Sequence, residues 1–209
     1  MFDPIAALSA RQRDLLSQYA TELARVNKRF NLVAPSTLAD LERAHLRHSL
    51  ALTWRAFPAG ATVVDWGAGG GLPTVPLAIA FPETQFVAVD SVGKKMEAVR
   101  LFARRLGLAN LTVWNGRAED YDGPAPHYAV SRATAPLANL WAWTERVRQP
   151  VERVPEGAWA PGLLTLKGGD LGAEIAALPK GVCVQRYGLA EILGGGFETK
   201  ELLHVGAAE

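Results

Sequence analysis

The chain has 209 residues, of which 21% are charged, and its formal net charge is +1 at pH 7. This length favours one domain with its own core, and the small net charge excludes the basic excess of proteins whose whole surface coats nucleic acid. A single cysteine excludes an internal disulfide, and no stretch approaches the roughly 20 apolar residues of a transmembrane helix, so we expect a cytoplasmic protein without membrane attachment.

The first 58 residues predict a helical lobe. From Ser9 to Phe30, apolar residues recur at intervals of three and four, and serine is a favoured residue at a helix N-cap. A second helix is expected to start near Ser36, directly after Pro35, with its leucines facing inward. Residues 1–58 are therefore predicted to form an N-terminal extension of two helices.

From residue 59 to residue 209 the pattern changes to that of an α/β domain. Short runs rich in valine alternate with segments of helix length, beginning with ATVVDWG and TQFVAVD. Strands that alternate with helices form parallel βαβ units whose sheet is covered on both faces. We therefore predict one compact domain with a mostly parallel sheet.

A glycine-rich loop follows the first predicted strand, in the stretch VVDWGAGGGLP from Val63 to Pro73. Ligands of open parallel sheets collect at the carboxyl ends of the strands, where such loops lie. A phosphate-binding Walker loop is excluded because no lysine follows until Lys94. The dinucleotide fingerprint begins at Gly67, but its third glycine is replaced by Leu72, which argues against a nicotinamide dehydrogenase.

Two aspartates complete a different pattern around the loop. Asp65 ends the first predicted strand just before Gly67 and Gly69, and Asp90 ends the second. This arrangement is typical of S-adenosylmethionine-dependent methyltransferases. Glycines allow close approach of a cofactor that has no phosphate, and the Asp90 carboxylate has enough acceptor sites for both ribose hydroxyls. Arg117–Glu119, after the third predicted strand, would lie around the adenine.

Six stretches spread over most of the chain are jointly specific. They are NKRFNL (27–32), GAGGGLPTVPLAI (67–79), DSVGKK (90–95), GRAED (116–120), SRA (131–133) and LKGG (166–169). Together they resemble the bacterial small-subunit ribosomal RNA guanine-N7 methyltransferases, once named glucose-inhibited division proteins. The resemblance implies a class I, Rossmann-like methyltransferase fold with an N-terminal helical extension. It also implies S-adenosyl-L-methionine as donor, S-adenosyl-L-homocysteine as product, and a guanine in the decoding-region loop of 16S rRNA as acceptor.

The resemblance assigns cofactor contacts by motif position. These residues are Gly67, Leu72, Ala118, Glu119 and Arg132. The strand-end argument above adds Gly69 and Asp90. No metal site is predicted.

The expected reaction needs positioning rather than acid–base chemistry. Methyl transfer from a sulfonium is an in-line displacement, and guanine N7 carries a lone pair and no proton, so no general base is required. Arg132, at the end of the fourth predicted strand, is the first catalytic candidate, because it could steady the cofactor or bond guanine O6. Lys167, after the fifth predicted strand, is the second candidate, for contact with the RNA backbone or base.

RNA contacts are expected from cations near the ends of helices. N7 cannot be reached in the deep major groove of an RNA helix, so the target guanine must lie in a loop or be splayed out. The predicted phosphate contacts are Arg11, Lys28, Arg29, Lys94, Lys95, Arg104 and Arg105. His45 is a further candidate for RNA contact, with a hydrogen-bonded structural role as its alternative. The family's His-x-x-Asp-Ser motif has His48 in place of its acid here.

Three aromatic or sulfur-containing residues outside these motifs are assigned to packing. Cys183 is expected in the core of a strand, and Trp141 and Trp143 are expected in core and rim positions of a helix rather than in a base-stacking platform.

Other functions remain open on sequence alone. A methyltransferase of this fold could act on a small molecule or a protein, and a ribosome-binding relic could keep the cofactor pocket without turnover. The expected partner is 16S rRNA or the small ribosomal subunit, with no protein partner, and the expected state is a monomer.

Overall fold

The computed structural model describes residues 1–132, 134–151 and 153–207, and its centre is a seven-stranded sheet. The strands are β1 (Thr62–Trp66), β2 (Gln85–Asp90), β3 (Leu111–Asn115), β4 (Tyr128–Arg132), β5 (Gly162–Gly168), β6 (Val182–Gly188) and β7 (Lys200–Ala207). Their order in the sheet is β3-β2-β1-β4-β5-β7-β6. The neighbours from β3 to β5 are parallel, whereas β7 runs antiparallel to both β5 and β6. The prediction of a mostly parallel sheet is confirmed.

Helices cover both faces of this sheet. They are α3 (Thr74–Ala80), α4 (Gly93–Leu106), α5 (Leu137–Val147), α6 (Gly172–Ala176) and α7 (Leu189–Leu193). Because successive strand residues point to opposite faces, Val63 belongs to one buried cluster and Val64 to the other. The first cluster also includes Leu16 and Leu23 from the N-terminal region, so that region shares a core with the sheet.

The first predicted helix is confirmed as α1 (Ala10–Phe30). Ser9 caps it through a capping box with Gln12, whose side-chain amide also donates to the carbonyl of Ile79 at 3.0 Å and thereby ties the helix start to the end of α3. The helix ends at Asn31, which adopts a left-handed conformation with φ 48°.

The second predicted helix is helical but irregular. Residues Pro35–Asp40 form a 3₁₀ helix and Glu42–Arg47 a π-helix, followed by α2 (His48–Leu50) and a 3₁₀ turn, Ala51–Trp54. Leucines face inward as predicted, but the π turn also buries a histidine that bonds to partners outside the segment, as described below. The prediction of one regular helix was therefore wrong here, because contacts with residues distant in sequence determine the local geometry.

Two of the three packing expectations hold. Trp141 is buried in the core and Trp143 is half-buried at its rim. Cys183 lies in a strand, β6, as expected, but it is exposed, because β6 is one of the two edge strands of the sheet and this position faces outward. Among the residues that the structure describes, no helix is long and apolar enough to cross a membrane.

Asn110, just before β3, connects the sheet to the end of α3, and its substitution tests how much this connection contributes to stability. Its buried side-chain amide donates to the carbonyls of Ala78, Phe81 and Thr84 at 3.0–3.1 Å. We expect Asn110→Ala to lower the free energy of unfolding by about 2 kcal/mol, because the carbonyls lose their donor without access to water. Urea titration followed by circular dichroism measures this change.

The matched control is Asn139→Ala, at an exposed position of α5, which should change the free energy of unfolding by no more than about 0.5 kcal/mol. Equal effects of the two substitutions would contradict the bracing role of Asn110.

Candidate functional site

A pocket of about 180 Å³ lies at the carboxyl edge of the sheet, beside the glycine loop. Its lining comes from the ends of β1, β2 and β3, from the segment after β4 and from α5. The residues are Gly67, Val89, Asp90, Ser91, Gly116, Arg117, Ala118, Glu119, Thr134 and Trp143. The structure thus brings Gly67, Asp90, Ala118 and Glu119 together, four of the residues predicted to contact a cofactor.

The glycines of the loop are required by its backbone geometry. Gly67 has φ +78°, and a Cβ there would lie 1.9 Å from the Thr134 side chain. Gly69 has φ +54°, but a Cβ there would meet no atom closer than 3.9 Å. The loop is fixed from beneath by Tyr19, whose hydroxyl donates to the Gly70 carbonyl at 2.8 Å. The result is a rigid cradle whose main chain faces open space at Gly69.

Asp90 organises the loop as well as lining the pocket. Its Oδ2 accepts from the Gly69 amide at 3.1 Å, and its Oδ1 accepts from the Val92 amide at 2.8 Å. Asn115 donates to the Asp90 carbonyl at 2.8 Å and anchors β3 to the same point. A carboxylate has about four acceptor sites, so two remain for hydroxyl donors in the pocket.

Asp65 lies fully buried at the end of β1. Thr74 donates a hydrogen bond to its Oδ2, and Oδ1 has no hydrogen-bond partner among the described residues. Burial raises the pKa of Asp65 to about 7, although the nearby charge of Arg132 acts in the opposite direction. Asp65 therefore supports the loop from within the protein.

Arg132 ends β4 and reaches the N-terminal region. Its Nη1 donates to Nδ1 of His45 at 3.0 Å and to the carbonyl of Ala44 at 3.4 Å. Burial lowers the pKa of Arg132, but a guanidinium keeps its charge in proteins. Arg132 does not line the first pocket. Arg132 lies beside the first pocket. The hydroxyl of Thr134, which lines that pocket, donates to the Arg132 carbonyl at 3.2 Å.

A second pocket, of about 370 Å³, lies on the other side of Arg132. It is enclosed by the irregular helical segment, the end of β4 and the start of β7. Its lining residues are Thr37, Asp40, Arg43, Ala44, His48, Arg132, Gly196, Phe197 and Lys200.

His45 is buried and acts as a neutral acceptor for Arg132. Because a guanidinium can only donate, Nδ1 accepts, and Nε2 must carry the proton that it donates to Thr37 Oγ1 at 2.6 Å. Burial lowers the pKa of His45 to about 4, so its ring is uncharged at neutral pH. This placement matches the structural alternative for His45, and its contact with RNA stays a prediction.

His48 shows the same behaviour at the position where the family motif has an acid. The ring is buried against Phe197, with centroids 6.0 Å apart, and burial lowers its pKa to about 3. His48 is therefore uncharged at neutral pH and places no second positive charge beside Arg132.

Two predicted site residues lie elsewhere. The Lys167 ammonium pairs with Glu174 at 2.8 Å and donates to the Ala135 carbonyl at 2.9 Å. It therefore joins β5 to α6 and to the segment before α5, and it lines neither pocket. The Leu72 side chain is buried in the core under the glycine loop. Neither residue lines either of these two pockets, so the substrate contact of Lys167 and the cofactor contact of Leu72 stay predictions.

The predicted RNA-binding cations divide between the two edges of the sheet. Lys94 and Lys95 open α4 directly after β2, and Lys28 and Arg29 lie in the last turn of α1, close to the glycine loop. Arg11 lies at the start of α1 and Arg104 and Arg105 lie at the end of α4, all at the opposite edge. Arg105 also pairs with Glu22. Only the first four lie on the side of the two pockets.

Sequence reasoning missed five pocket residues, which are Val89, Ser91, Gly116, Thr134 and Trp143, although signals for most of them exist. Ser91 falls inside the DSVGKK motif, and Thr134 follows the SRA motif, whose Ala133 lies outside the described residues. Trp143 was expected at the rim of the core, and at that position its side chain lines the first pocket.

Comparisons with known proteins agree on one family. The family model described as rRNA small subunit methyltransferase G matches residues 12–190. A protein of Salinibacter ruber named ribosomal RNA small subunit methyltransferase G is 52% identical over 209 residues, which is 98% of this chain and 97% of the relative. A protein of the same name from Chlorobium limicola is 40% identical over 80% of this chain and 73% of its own length.

Solved structures of other methyltransferases share the fold. A precorrin-6y C5,15-methyltransferase from Geobacter metallireducens aligns with a TM-score of 0.59 at 12% identity, over 77% of this chain and 87% of that one. An O-methyltransferase from Bacillus cereus, in complex with SAH, aligns with a TM-score of 0.53 at 14% identity, over 97% of this chain and 100% of its own.

The glycine loop yields a prediction that separates stability from ligand binding. Gly67→Ala should lower the free energy of unfolding by about 2–4 kcal/mol, because the new Cβ displaces Thr134 in a left-handed backbone. Gly69→Ala should cost only about 1 kcal/mol, for its left-handed conformation. Because its Cβ enters the open cradle, Gly69→Ala should nevertheless weaken binding of S-adenosylmethionine at least tenfold.

Urea titration and calorimetric titration with the cofactor measure the two quantities. Wild-type cofactor affinity in Gly69→Ala would show that the cradle does not hold this ligand.

Proposed function

The chain belongs to the family of rRNA small subunit methyltransferase G, and we propose that it transfers a methyl group from S-adenosylmethionine to N7 of a guanine in the decoding-region loop of 16S rRNA. The observation that carries the proposal is the first pocket. It combines a glycine cradle, an acid at the end of β2 and a short 3₁₀ turn after β3 at one edge of a methyltransferase sheet.

The residues present fit the cofactor. The open main chain at Gly69 suits the methionine half, which has no phosphate, and Asp90 keeps two acceptor sites for the ribose hydroxyls. Ala118 and Glu119 take the adenine end, with the half-buried ring of Trp143 as an apolar wall. When bound, S-adenosylmethionine supplies an electrophilic methyl group on a positively charged sulfur.

The chain then needs to hold the acceptor, not to activate it. Guanine N7 has no proton to lose, and alignment of its lone pair with the methyl group lowers the barrier by removing the entropy of encounter. The rigid parts of the site serve this purpose, because Tyr19, Asp90 and Thr134 each hydrogen-bond the glycine loop. Arg132 adds a fixed positive charge beside the pocket.

An RNA acceptor is favoured over a small molecule by the charge around the pockets. Lys28, Arg29, Lys94 and Lys95 lie on the side where a substrate enters. Cations distributed around the entrance of a pocket can bind several phosphates of one RNA strand, whereas a small-molecule methyl acceptor needs no such surface. We propose a monomer that acts in the cytoplasm on 16S rRNA or the small ribosomal subunit.

The direct test uses labelled S-adenosylmethionine and small ribosomal subunits from cells that lack this gene. After incubation with the purified protein, the RNA is digested and the methylated nucleoside is identified by mass spectrometry. We expect 7-methylguanosine at a single site in the decoding region. Label in a small molecule or protein, or cofactor binding without any turnover, would favour the soluble-acceptor and relic functions respectively.

The division of cations between the two edges gives a second prediction. Lys28→Gln combined with Lys94→Gln should weaken RNA binding and reduce the slope of log affinity against log salt by about 1 for each phosphate that the protein no longer neutralises. Arg11→Gln combined with Arg104→Gln removes the same charge from the opposite edge and should leave the slope unchanged. Equal reductions of the slope in both pairs would show that charge, and not its position, governs RNA binding.

A further inference from the structure

The second pocket has the size of a ligand site and lies next to the cofactor pocket. Its volume of about 370 Å³ falls within the range of about 300–1,000 Å³ of small-molecule sites. Thr134 lines the cofactor pocket and Arg132 lines the second one, so residues two positions apart in sequence line the two pockets.

Its charged groups are the carboxylate of Asp40, which pairs with Arg43, and the two cations Arg132 and Lys200. Arg132 uses Nη1 for His45 and Ala44, and its other nitrogens have no hydrogen-bond partner among the described residues. Lys200, at the start of β7, forms no ion pair within the part of the chain that the structure describes. Each of these two cations therefore has donors free for a ligand.

The acceptor is the half-exposed carboxylate of Asp40. Its Oδ2 accepts from Arg43 Nε at 2.7 Å and also forms an ion pair with Arg43 Nη2, while Oδ1 has no partner among the residues described. The Asp40 side chain is 41% exposed to solvent, so a ligand in the pocket can reach it.

We propose that this second pocket holds the target guanine, with Asp40 accepting hydrogen bonds from the N1–H and the N2 amino group while Arg132 and Lys200 donate to O6. The inference rests on the proposed function. Along the guanine ring the order of groups is N2, N1, O6 and N7. A base held at its first three groups in this way presents N7 beyond Arg132, toward the cofactor pocket.

The same contacts discriminate between bases. Adenine has an acceptor at N1, which repels a carboxylate, and an amino donor at the position of O6, which repels both cations. A site built to bond guanine therefore leaves charged groups unpaired against adenine, and such mismatches reject a ligand more strongly than a difference in shape does.

Asp40 also suits the charge that develops during the reaction. Transfer breaks the sulfur–methyl bond and forms the N7–methyl bond with the N7 lone pair, so the positive charge passes from sulfur to the guanine ring and no proton leaves. The cations at O6 oppose that charge, whereas a carboxylate at N1 and N2 stabilises it as it forms. Asp40 is thus a catalytic residue as well as a reader of the base.

The test combines one substitution in the protein with one in the RNA. Asp40→Asn is compared with wild type on small subunits whose 16S rRNA carries either guanosine or inosine at the target position. Inosine lacks only the N2 amino group, so it removes one of the proposed contacts. The matched control is Glu42→Gln, which removes the same charge from an exposed residue two positions away, outside the pocket.

We expect wild type and Glu42→Gln to lose about 10-fold in kcat/KM on inosine. Asp40→Asn should lose about 10- to 100-fold on guanosine, the range for a charge-assisted hydrogen bond, and should show no further loss on inosine. Affinity for S-adenosylmethionine, measured by calorimetric titration, should be the same in all three proteins.

Two results would overturn the inference and they are distinguishable. If wild type methylates guanosine but Asp40→Asn matches Glu42→Gln, or keeps the full penalty on inosine, the pocket assignment fails and the proposed function stands. If wild type methylates no RNA, the proposed function fails and the pocket assignment fails with it.

Discussion

The charge of Arg132 is enclosed between the sheet and the N-terminal helical segment, and its surroundings are built around that charge. A buried cation without partners costs several kcal/mol, so acceptors have to contact it. His45 and the carbonyl of Ala44 accept from it, and Asp65 lies close enough for the two charges to interact. Burial keeps His45 and His48 uncharged at neutral pH, which prevents repulsion of the guanidinium.

This constraint explains the irregular segment before α2. A π-helix has poorer backbone packing than an α-helix and persists where other contacts support it. Here the support is a chain of hydrogen bonds from Arg132 to His45, from His45 to Thr37, and from Thr37 to the carbonyl of Ala34. The segment is therefore shaped by a residue that follows it by 87 positions.

The parts of the fold that sequence alone predicts are those set by local chemistry. The capping box of α1, the alternation of strands and helices and the glycine loop follow from residue types at short spacing. The surroundings of other residues depend on partners that are distant in sequence. The sequence places Lys167 among the active-site candidates, but its ion pair with Glu174 is visible only in the structure. The sequence likewise does not show that His45 is buried and bonded to Arg132, which keeps its ring uncharged. The exposure of Cys183 depends on β7 inserting between β5 and β6, an order that no local pattern specifies.

The two pockets draw on different parts of the chain, so the proposed assignments separate cofactor binding from substrate choice. The cofactor pocket is built from the ends of strands and the segment after β4, which are features of the methyltransferase sheet itself. The second pocket takes Thr37, Asp40 and His48 from the N-terminal extension and Lys200 from the antiparallel strand β7. Since a fold does not fix a substrate, specificity for guanine has to come from such additions to the sheet. Arg132 belongs to both regions, because it ends a strand of the sheet and bonds to the extension. It is therefore the residue that connects the added segment to the carboxyl edge of the sheet, where the first pocket lies.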